Sequence, residues 1–238
     1  MSRTIIFSEG GYYHIYNRGV EKRLLFMDKE DYDRFVKLLY LSNGNIKFNF
    51  TDIYKYQNGI SLELKDIERG KRLIDIGAWC LMPNHFHVLI KVPYLEAKPQ
   101  DEKIQDMKSL SVFMHKLLTG YSMYFNRKYH RKGRLFETTF MAKHLNTDQY
   151  LKYQYAYIHL NPIGIIDKGW KKKMISNKFK AKKFLKDYEY SSYKDYFGEK
   201  REENIILNIT EFPKYFSIQI DFESMIDEWI NFNSEEEV

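Results

Sequence analysis

Two apolar runs joined by a short turn place the strongest constraint on how this chain can fold. They span residues 73–80 and 85–92, and Leu81-Met82-Pro83-Asn84 connects them. Apolar runs of this length on either side of a turn predict a β-hairpin. The second strand carries His85 and His87, whose side chains share one face because residues alternate along a strand. The pair can supply two ligands to a metal ion, although a half-exposed strand can also carry two histidines without a function.

The segments around the hairpin predict the rest of the fold. Their order is strand, helix, strand, strand, helix, strand and helix, which predicts an α+β, ferredoxin-like split βαβ fold. We expect an antiparallel sheet with helices on one face, followed by a helical C-terminal extension. The other predicted elements are a strand over 12–17, a helix from the Asp28 cap to about 41, a helix over about 101–128, a strand over 133–145 and a helix that starts at 146–148 and ends before Pro162.

The composition divides the chain into three parts. Residues 10–165 hold the predicted domain, with an irregular excursion over 44–72. Residues 166–198 form a lysine-rich segment and a tyrosine-rich helix, and residues 199–238 form an acidic appendage. The formal net charge is +6, but residues 199–238 contain eleven acidic and three basic side chains, so the remaining body is strongly basic. A basic body with an acidic tail is typical of proteins that bind nucleic acid.

The lysine-rich segment concentrates this positive charge. Residues 168–186 include nine lysines and no acidic residue, with Trp170, Phe179 and Phe184 among them. This composition suits phosphate contacts combined with base stacking, and it equally fits a solvated linker. No apolar run is long enough to cross a bilayer, and the single cysteine, Cys80, excludes an intrachain disulfide. These features indicate the reducing cytoplasm and exclude a membrane partner.

A helix near residue 160 supplies the other side chains that the histidine pair needs. Tyr157 and Asn161 are four residues apart, so they lie one turn apart on one helical face. The Tyr157 hydroxyl is a possible nucleophile, and the Asn161 amide oxygen could complete a His, His, Asn metal site. Considered alone, Tyr157 is unremarkable, because the chain has 20 tyrosines and two of them, Tyr153 and Tyr155, are its near neighbours.

Five stretches in order carry a family resemblance. The chain resembles the single-tyrosine HUH transposases of the insertion sequence 200/605 superfamily, and most closely the subgroup associated with repetitive extragenic palindromes, the REP-associated tyrosine transposases. The ordered set is far more specific than any one motif. The matching stretches are Tyr13-His14-Ile15-Tyr16-Asn17-Arg18-Gly19, Cys80-Leu81-Met82-Pro83-Asn84-His85-Phe86-His87-Val88-Leu89, Gly133-Arg134-Leu135-Phe136, Tyr157-Ile158-His159-Leu160-Asn161-Pro162 and Tyr190-Ser191-Ser192-Tyr193.

The resemblance implies a ferredoxin-like enzyme that acts on single-stranded DNA beside a hairpin in a prokaryotic cytoplasm. It implies that His85 and His87 hold a divalent metal, Mg²⁺ or Mn²⁺, with Asn161 as third ligand where better-known relatives carry glutamine. It also implies that Tyr157 attacks the scissile phosphate and leaves a 5′-phosphotyrosine and a free 3′-hydroxyl. Relatives include monomers and homodimers, so the oligomeric state stays open.

Six further residues are predicted to contact DNA on the basis of their positive charge alone. They are Arg18, Lys22, Arg23, Lys171, Lys172 and Lys173. The other histidines receive structural interpretations: His14 is one residue of a strand, and His144 is the one that topology could bring towards the site. Two alternatives to the transposase remain, namely a domesticated hairpin-binding protein that does not cleave and a nuclease that uses water as nucleophile.

Overall fold

A four-stranded antiparallel sheet forms the centre of the protein, as seen in a computed structural model that describes residues 7–48, 64–94, 109–172 and 174–231. The strand order across the sheet is β2-β3-β1-β4. The strands are β1 Tyr12–Arg18, β2 Asp75–Met82, β3 His85–Lys91 and β4 Met141–His144. Most of the excursion over 44–72, the predicted helix residues 101–108 and Lys173 lie outside the described residues.

The predicted hairpin is present and sets the register of the sheet. β2 and β3 are joined through Pro83 and Asn84 alone, with Met82 opposite His85. Strand β1 pairs with the other side of β3, so that Tyr16 lies opposite His87 and Arg18 opposite His85. Every residue of β2 is buried, which explains its continuous apolar sequence. The two histidines therefore lie on a central strand of the sheet.

The helices follow the predicted order, and their first turns are capped by side chains. Asp28 accepts a hydrogen bond from the Asp31 amide at 3.1 Å, and Thr147 accepts one from the Tyr150 amide at 3.1 Å. The described helices are α1 Lys29–Ser42, α2 Ser109–Lys128, α3 Asp148–Leu160, α4 Ile163–Ile166, α5 Lys178–Asp187, α6 Tyr193–Tyr196 and α7 Gln219–Asn231. Among the helices that the structure describes, none combines the length and the apolar character that crossing a membrane requires.

The α+β class and the βαββαβ order are confirmed, but helices cover both faces of the sheet. Phe86 contacts Phe35 of α1, with ring centres 5.0 Å apart. On the opposite face His87 contacts Tyr157 of α3, with ring centres 5.8 Å apart. Because neighbouring residues of a strand point to opposite faces, α1 and α3 lie on different sides. The prediction of helices on one face is therefore wrong; an amphipathic pattern identifies a buried helix face and does not say which side of the sheet it covers.

The last strand is much shorter than the predicted stretch over 133–145. Only Met141–His144 pairs with β1, while the preceding residues form a loop with an isolated bridge between Gly19 and Phe136. The Asn17 amide group anchors this loop by donating to the carbonyls of Thr138 and Thr139 at 2.9 and 3.1 Å. The Phe and Thr content of residues 133–145 favoured a strand. Because β1 ends at Arg18, however, the first part of this stretch has no neighbouring strand among the described residues to pair with.

The C-terminal third packs on the sheet. Tyr190 accepts a hydrogen bond from the Leu81 amide at 2.8 Å, and the Ser192 amide donates to Trp79 at 2.9 Å. The described part of the acidic segment buries aromatic side chains in the same hydrophobic cluster as the strands. These are Phe212, Phe216 and Phe222. The predicted tyrosine-rich helix is helical only over Tyr193–Tyr196, because the residues before it run along β2.

Candidate active site

Three histidines, and not two, meet on one face of the sheet. His85 and His87 are neighbours on β3, with ring centres 5.0 Å apart and ring planes almost perpendicular. His14 of β1 joins them, because its Nε2 lies 2.8 Å from Nδ1 of His87. His144 instead stacks on Tyr13, on the other face of the sheet, with ring centres 4.9 Å apart. His144, which topology could have brought towards the site, therefore lies away from it, and His14 is the histidine that the sequence analysis missed.

The ring nitrogens of the two β3 histidines fit a metal ion. Asn84 donates through Nδ2 to the Lys22 carbonyl at 3.3 Å, which leaves its Oδ1 facing Nδ1 of His85 at 2.7 Å. Nδ1 of His85 therefore carries the proton and Nε2 carries a lone pair. Nε2 of His87 is buried without a partner among the described residues. A buried polar atom without a partner costs free energy, so this nitrogen suits a ligand from outside the chain.

The site keeps its imidazoles neutral. Burial, with smaller contributions from the nearby charges of Lys171 and Arg18, lowers the pKa of His85 to about 4. Burial lowers the pKa of His14 to about 3. Burial, together with His14 and His85, lowers the pKa of His87 well below its usual value. Neutral imidazole is the form that binds metals, so these rings would not have to lose a proton in order to bind one at neutral pH.

Helix α3 brings Tyr157 to the histidines. Its half-buried ring lies edge-on to His87 and His14, with ring centres 5.8 and 6.5 Å away. Tyr155 points away from the sheet histidines and packs on Phe216, with ring centres 3.9 Å apart. Tyr153 stacks on Tyr157 and is 47% exposed. Of the three neighbouring tyrosines, Tyr157 is the one whose ring contacts His14 and His87.

Asn161 lies at the C-terminal cap of α3, buried and one turn beyond Tyr157. Its Nδ2 donates to the Tyr157 carbonyl at 2.7 Å, and its backbone amide donates to the same oxygen at 3.1 Å. The side-chain bond uses the nitrogen and leaves Oδ1 as the atom able to bind a cation. Within the four described ranges, no group of three or more His, Cys, Asp or Glu side chains could hold a metal ion. A third protein ligand drawn from these residues would therefore be of another type, such as a carboxamide.

The lysine-rich segment contributes directly to the site. Trp170 is buried and packs on Tyr157, with ring centres 5.4 Å apart. Trp229 of α7 also packs on Trp170, with ring centres 5.6 Å apart. The Lys171 ammonium lies 5.6 Å from the centre of the Tyr157 ring and 5.8 Å from that of Trp170. The start of this segment is thus ordered against α3, whereas Phe179 further along is 80% exposed.

The other basic residues that were predicted to contact DNA differ in their surroundings. Arg18 faces His85 across the β1–β3 pair and forms a bidentate ion pair with Glu137. Lys22 and Lys172 are exposed, and Lys22 has a positive φ of 60°. Arg23 is half-buried, and its Nε has no partner among the described residues. Of the predicted DNA contacts, Arg18 and Lys171 are the two whose charges act on His85.

The fold and the site together define an α+β protein with a ferredoxin-like sheet, a histidine cluster on its central strands and a tyrosine helix beside that cluster. No protein family model and no curated protein matches the chain. Among solved structures, the chain is similar to that of the REP-associated tyrosine transposase bound to a REP hairpin. The TM-score is 0.43 and the sequence identity is 12%, over 85% of this chain and 90% of that one.

Proposed function

We propose that this chain is a tyrosine transposase of the HUH type, which cleaves and rejoins single-stranded DNA beside hairpins. The observation that carries the proposal is the contact between Tyr157 on α3 and His87 on β3, whose free Nε2 belongs to a neutral, buried imidazole. A nucleophile and two metal ligands, supplied by separate elements, are what a phosphotyrosine mechanism requires.

The reaction exchanges one phosphodiester for another. The Tyr157 oxygen attacks the scissile phosphorus and loses its proton, while the bond from phosphorus to the 3′-oxygen breaks and that oxygen takes up a proton. The products are a 5′-phosphotyrosine and a free 3′-hydroxyl. Because the phosphotyrosine keeps the energy of the broken bond, a 3′-hydroxyl can attack it and rejoin the strand without a further cofactor.

The residues around Tyr157 have separate roles in this proposal. His85, His87 and the Asn161 Oδ1 would hold Mg²⁺ or Mn²⁺. When bound, such an ion supplies a Lewis acid that polarises a phosphate oxygen and offsets negative charge in the transition state. Trp170 orients the phenol through its ring contact. The Lys171 ammonium adds a fixed positive charge beside the attacking oxygen and the phosphate.

The expected partner is a single-stranded DNA hairpin, such as a palindromic repeat or the end of a mobile element. Arg18, Lys22, Arg23 and Lys172 are the described residues proposed to bind its phosphates. Several phosphate contacts give an affinity that falls steeply with salt. Arg18 can bind a phosphate only by releasing Glu137, so this ion pair would have to exchange when DNA binds.

A second candidate function is hairpin binding without cleavage. It is favoured by one observation, the hydrogen bond that ties the Asn161 amide group back to its own helix at 2.7 Å. If that group does not turn towards the histidines, the metal has only two protein ligands. The protein would then bind DNA hairpins through its basic surface and leave them intact.

A covalent-adduct assay separates these functions. Labelled single-stranded hairpin DNA from the flanks of the gene is incubated with the full chain and Mn²⁺, and the products are run on a denaturing gel. We expect a slow band that requires the metal and disappears in Tyr157→Phe, with hairpin binding retained. Tyr153→Phe is the matched control, since it removes the same hydroxyl one turn earlier in the helix and should leave the band in place.

Three other outcomes contradict the proposal in different ways. A band that persists in Tyr157→Phe assigns the nucleophile to another residue. Cleavage without a slow band indicates a water nucleophile. DNA that is bound under native conditions but stays intact with both Mn²⁺ and Mg²⁺ establishes the hairpin-binding alternative.

A further inference from the structure

His14 and His87 form an imidazole–imidazole hydrogen bond in the protein interior. Nε2 of His14 and Nδ1 of His87 are 2.8 Å apart, and the two side chains are 4% and 6% exposed. The other nitrogen of each ring, Nδ1 of His14 and Nε2 of His87, is also buried, and neither has a partner among the described residues. The position of one proton therefore decides what the pair can bind.

Two arrangements satisfy this hydrogen bond when both rings are neutral, because each ring then carries one proton. In the first, His87 donates from Nδ1 and its Nε2 holds a free lone pair, while His14 carries its proton on Nδ1. In the second, His14 donates from Nε2, and His87 must carry its proton on Nε2. Only the first arrangement leaves His87 able to bind a metal through Nε2.

From this geometry we infer that His14 is a positioning residue that holds His87 in the Nδ1–H tautomer and directs Nε2 of His87 to the metal. The inference rests on the proposed metal role of His85 and His87. His85 is held in the same way, because Oδ1 of Asn84 accepts a hydrogen bond from its Nδ1 at 2.7 Å. Ligand histidines generally donate their second N–H to such an outer partner, which fixes both tautomer and ring orientation.

Packing fixes the His14 ring in the position that this role requires. Tyr16, two residues further along β1, stacks on the His14 ring with ring centres 4.9 Å apart and planes inclined by 22°. The Tyr157 ring lies edge-on to it at 6.5 Å. Since His14 is enclosed by Tyr16, His87 and Tyr157, it has little freedom to rotate away from Nδ1 of His87.

Metal affinity tests the inference without relying on activity. Mn²⁺ binding to the full chain is measured by isothermal titration calorimetry for wild type, His14→Ala, His14→Gln and His144→Ala. We expect His14→Ala to weaken Mn²⁺ binding about 10- to 100-fold, the usual effect of losing an outer partner. His14→Gln should recover part of this loss, because its side-chain oxygen can accept the His87 proton. The exposed His144 serves as control, and its variant should bind like wild type.

A second measurement applies even if His14→Ala fails to fold. In metal-free wild-type protein, ¹⁵N NMR of the imidazoles should show His87 protonated on Nδ1 and unprotonated on Nε2. A proton on Nε2 of His87 overturns the inference, and so does wild-type Mn²⁺ affinity in a folded His14→Ala variant.

The outcomes also separate this inference from the proposed function. Normal adduct formation together with unchanged Mn²⁺ affinity in His14→Ala overturns the role of His14 alone. Mn²⁺ binding that depends on His14 without any adduct overturns the transposase and supports the positioning role. A wild-type protein that binds no Mn²⁺ overturns the metal site on which both depend.

Discussion

The ammonium of Lys171 lies 5.6 Å from the centre of the Tyr157 ring. This contact joins the lysine-rich segment to the tyrosine helix at the point where the proposed reaction takes place. The same positive charge lowers the pKa of His85, after the larger effect of burial. Lys171 is therefore close to both the proposed nucleophile, Tyr157, and a proposed metal ligand, His85, and we expect its charge to matter most in the transition state.

Removing this charge should slow the reaction more than it weakens binding. We expect Lys171→Ala to reduce the rate of adduct formation about tenfold or more, since a fixed charge at the reacting phosphate acts on the transition state. Single-turnover rates and hairpin affinity measured together check this. The exposed Lys180 on α5 provides a matched loss of charge, and Lys180→Ala should keep the wild-type rate. If both variants lose the same fraction of the rate, Lys171 acts only through the overall positive charge of the protein and has no specific role at the reacting phosphate.

Metal binding should persist to an unusually low pH. A metal competes with protons for His85, whose pKa is lowered to about 4, whereas an ordinary histidine titrates near 6.5. Mn²⁺ affinity should therefore be nearly constant from pH 8 to 5.5 and fall as the pH approaches 4. Calorimetric titrations across this range test the expectation. Lys171→Ala should move the fall to higher pH, and a midpoint near 6.5 in wild type would contradict the prediction.

The stability of the fold should decrease in weak acid because of His159. Its Nδ1 donates to the Tyr155 carbonyl at 2.9 Å, and its Nε2 accepts from Ser192 at 2.8 Å. Burial lowers its pKa to about 3. The unfolded chain therefore takes up a proton below pH 6.5 that the folded chain does not, and the stability present above pH 6.5 is lost as the pH falls. At pH 5 this loss is about 2 kcal/mol for one fully buried histidine.

Urea unfolding at pH 7.5 and pH 5.0 measures this loss. His159→Gln cannot titrate, so the difference in unfolding free energy between the two pH values should be smaller in this variant than in wild type. The variant is also less stable at pH 7.5, which does not affect the comparison. An identical difference in both proteins would assign the acid sensitivity to other groups.

Trp170 should be important for both stability and activity. It is 2% exposed and packs between Tyr157 and Trp229. Trp170→Ala should lower the unfolding free energy by about 3 kcal/mol, the usual cost of emptying such a site, and should slow adduct formation because Tyr157 loses a supporting ring. Phe179→Ala, at an 80% exposed position of the same segment, should change the unfolding free energy by less than about 0.5 kcal/mol. Equal effects would mean that Trp170 does not support the site.

Local sequence patterns predicted the hairpin, the cap at Asp28 and the helix that starts at 146–148 and carries Tyr157, because each depends on residues close together in the chain. The role of His14 depends on the pairing of β1 with β3, which no local pattern specifies. The side of the sheet that a helix covers also depends on contacts between distant residues, which is why the prediction of helices on one face was wrong. Composition left open whether the lysine-rich segment binds nucleic acid or is a solvated linker. Only packing shows that Trp170 and Lys171 reach Tyr157 while Phe179 faces solvent.

Residues 188–196 cover the outer edge of the sheet, which is strand β2. The outward carbonyls of β2, at Gly77, Trp79 and Leu81, accept hydrogen bonds from Tyr196, Ser192 and Tyr188. An uncovered edge strand offers free backbone groups to other chains and promotes aggregation. With β2 occupied in this way, any sheet-to-sheet association of two copies would have to use the opposite edge, where β4 is only four residues long. The fold thereby restricts self-association through β2, the outer strand of the hairpin, all of whose residues are buried.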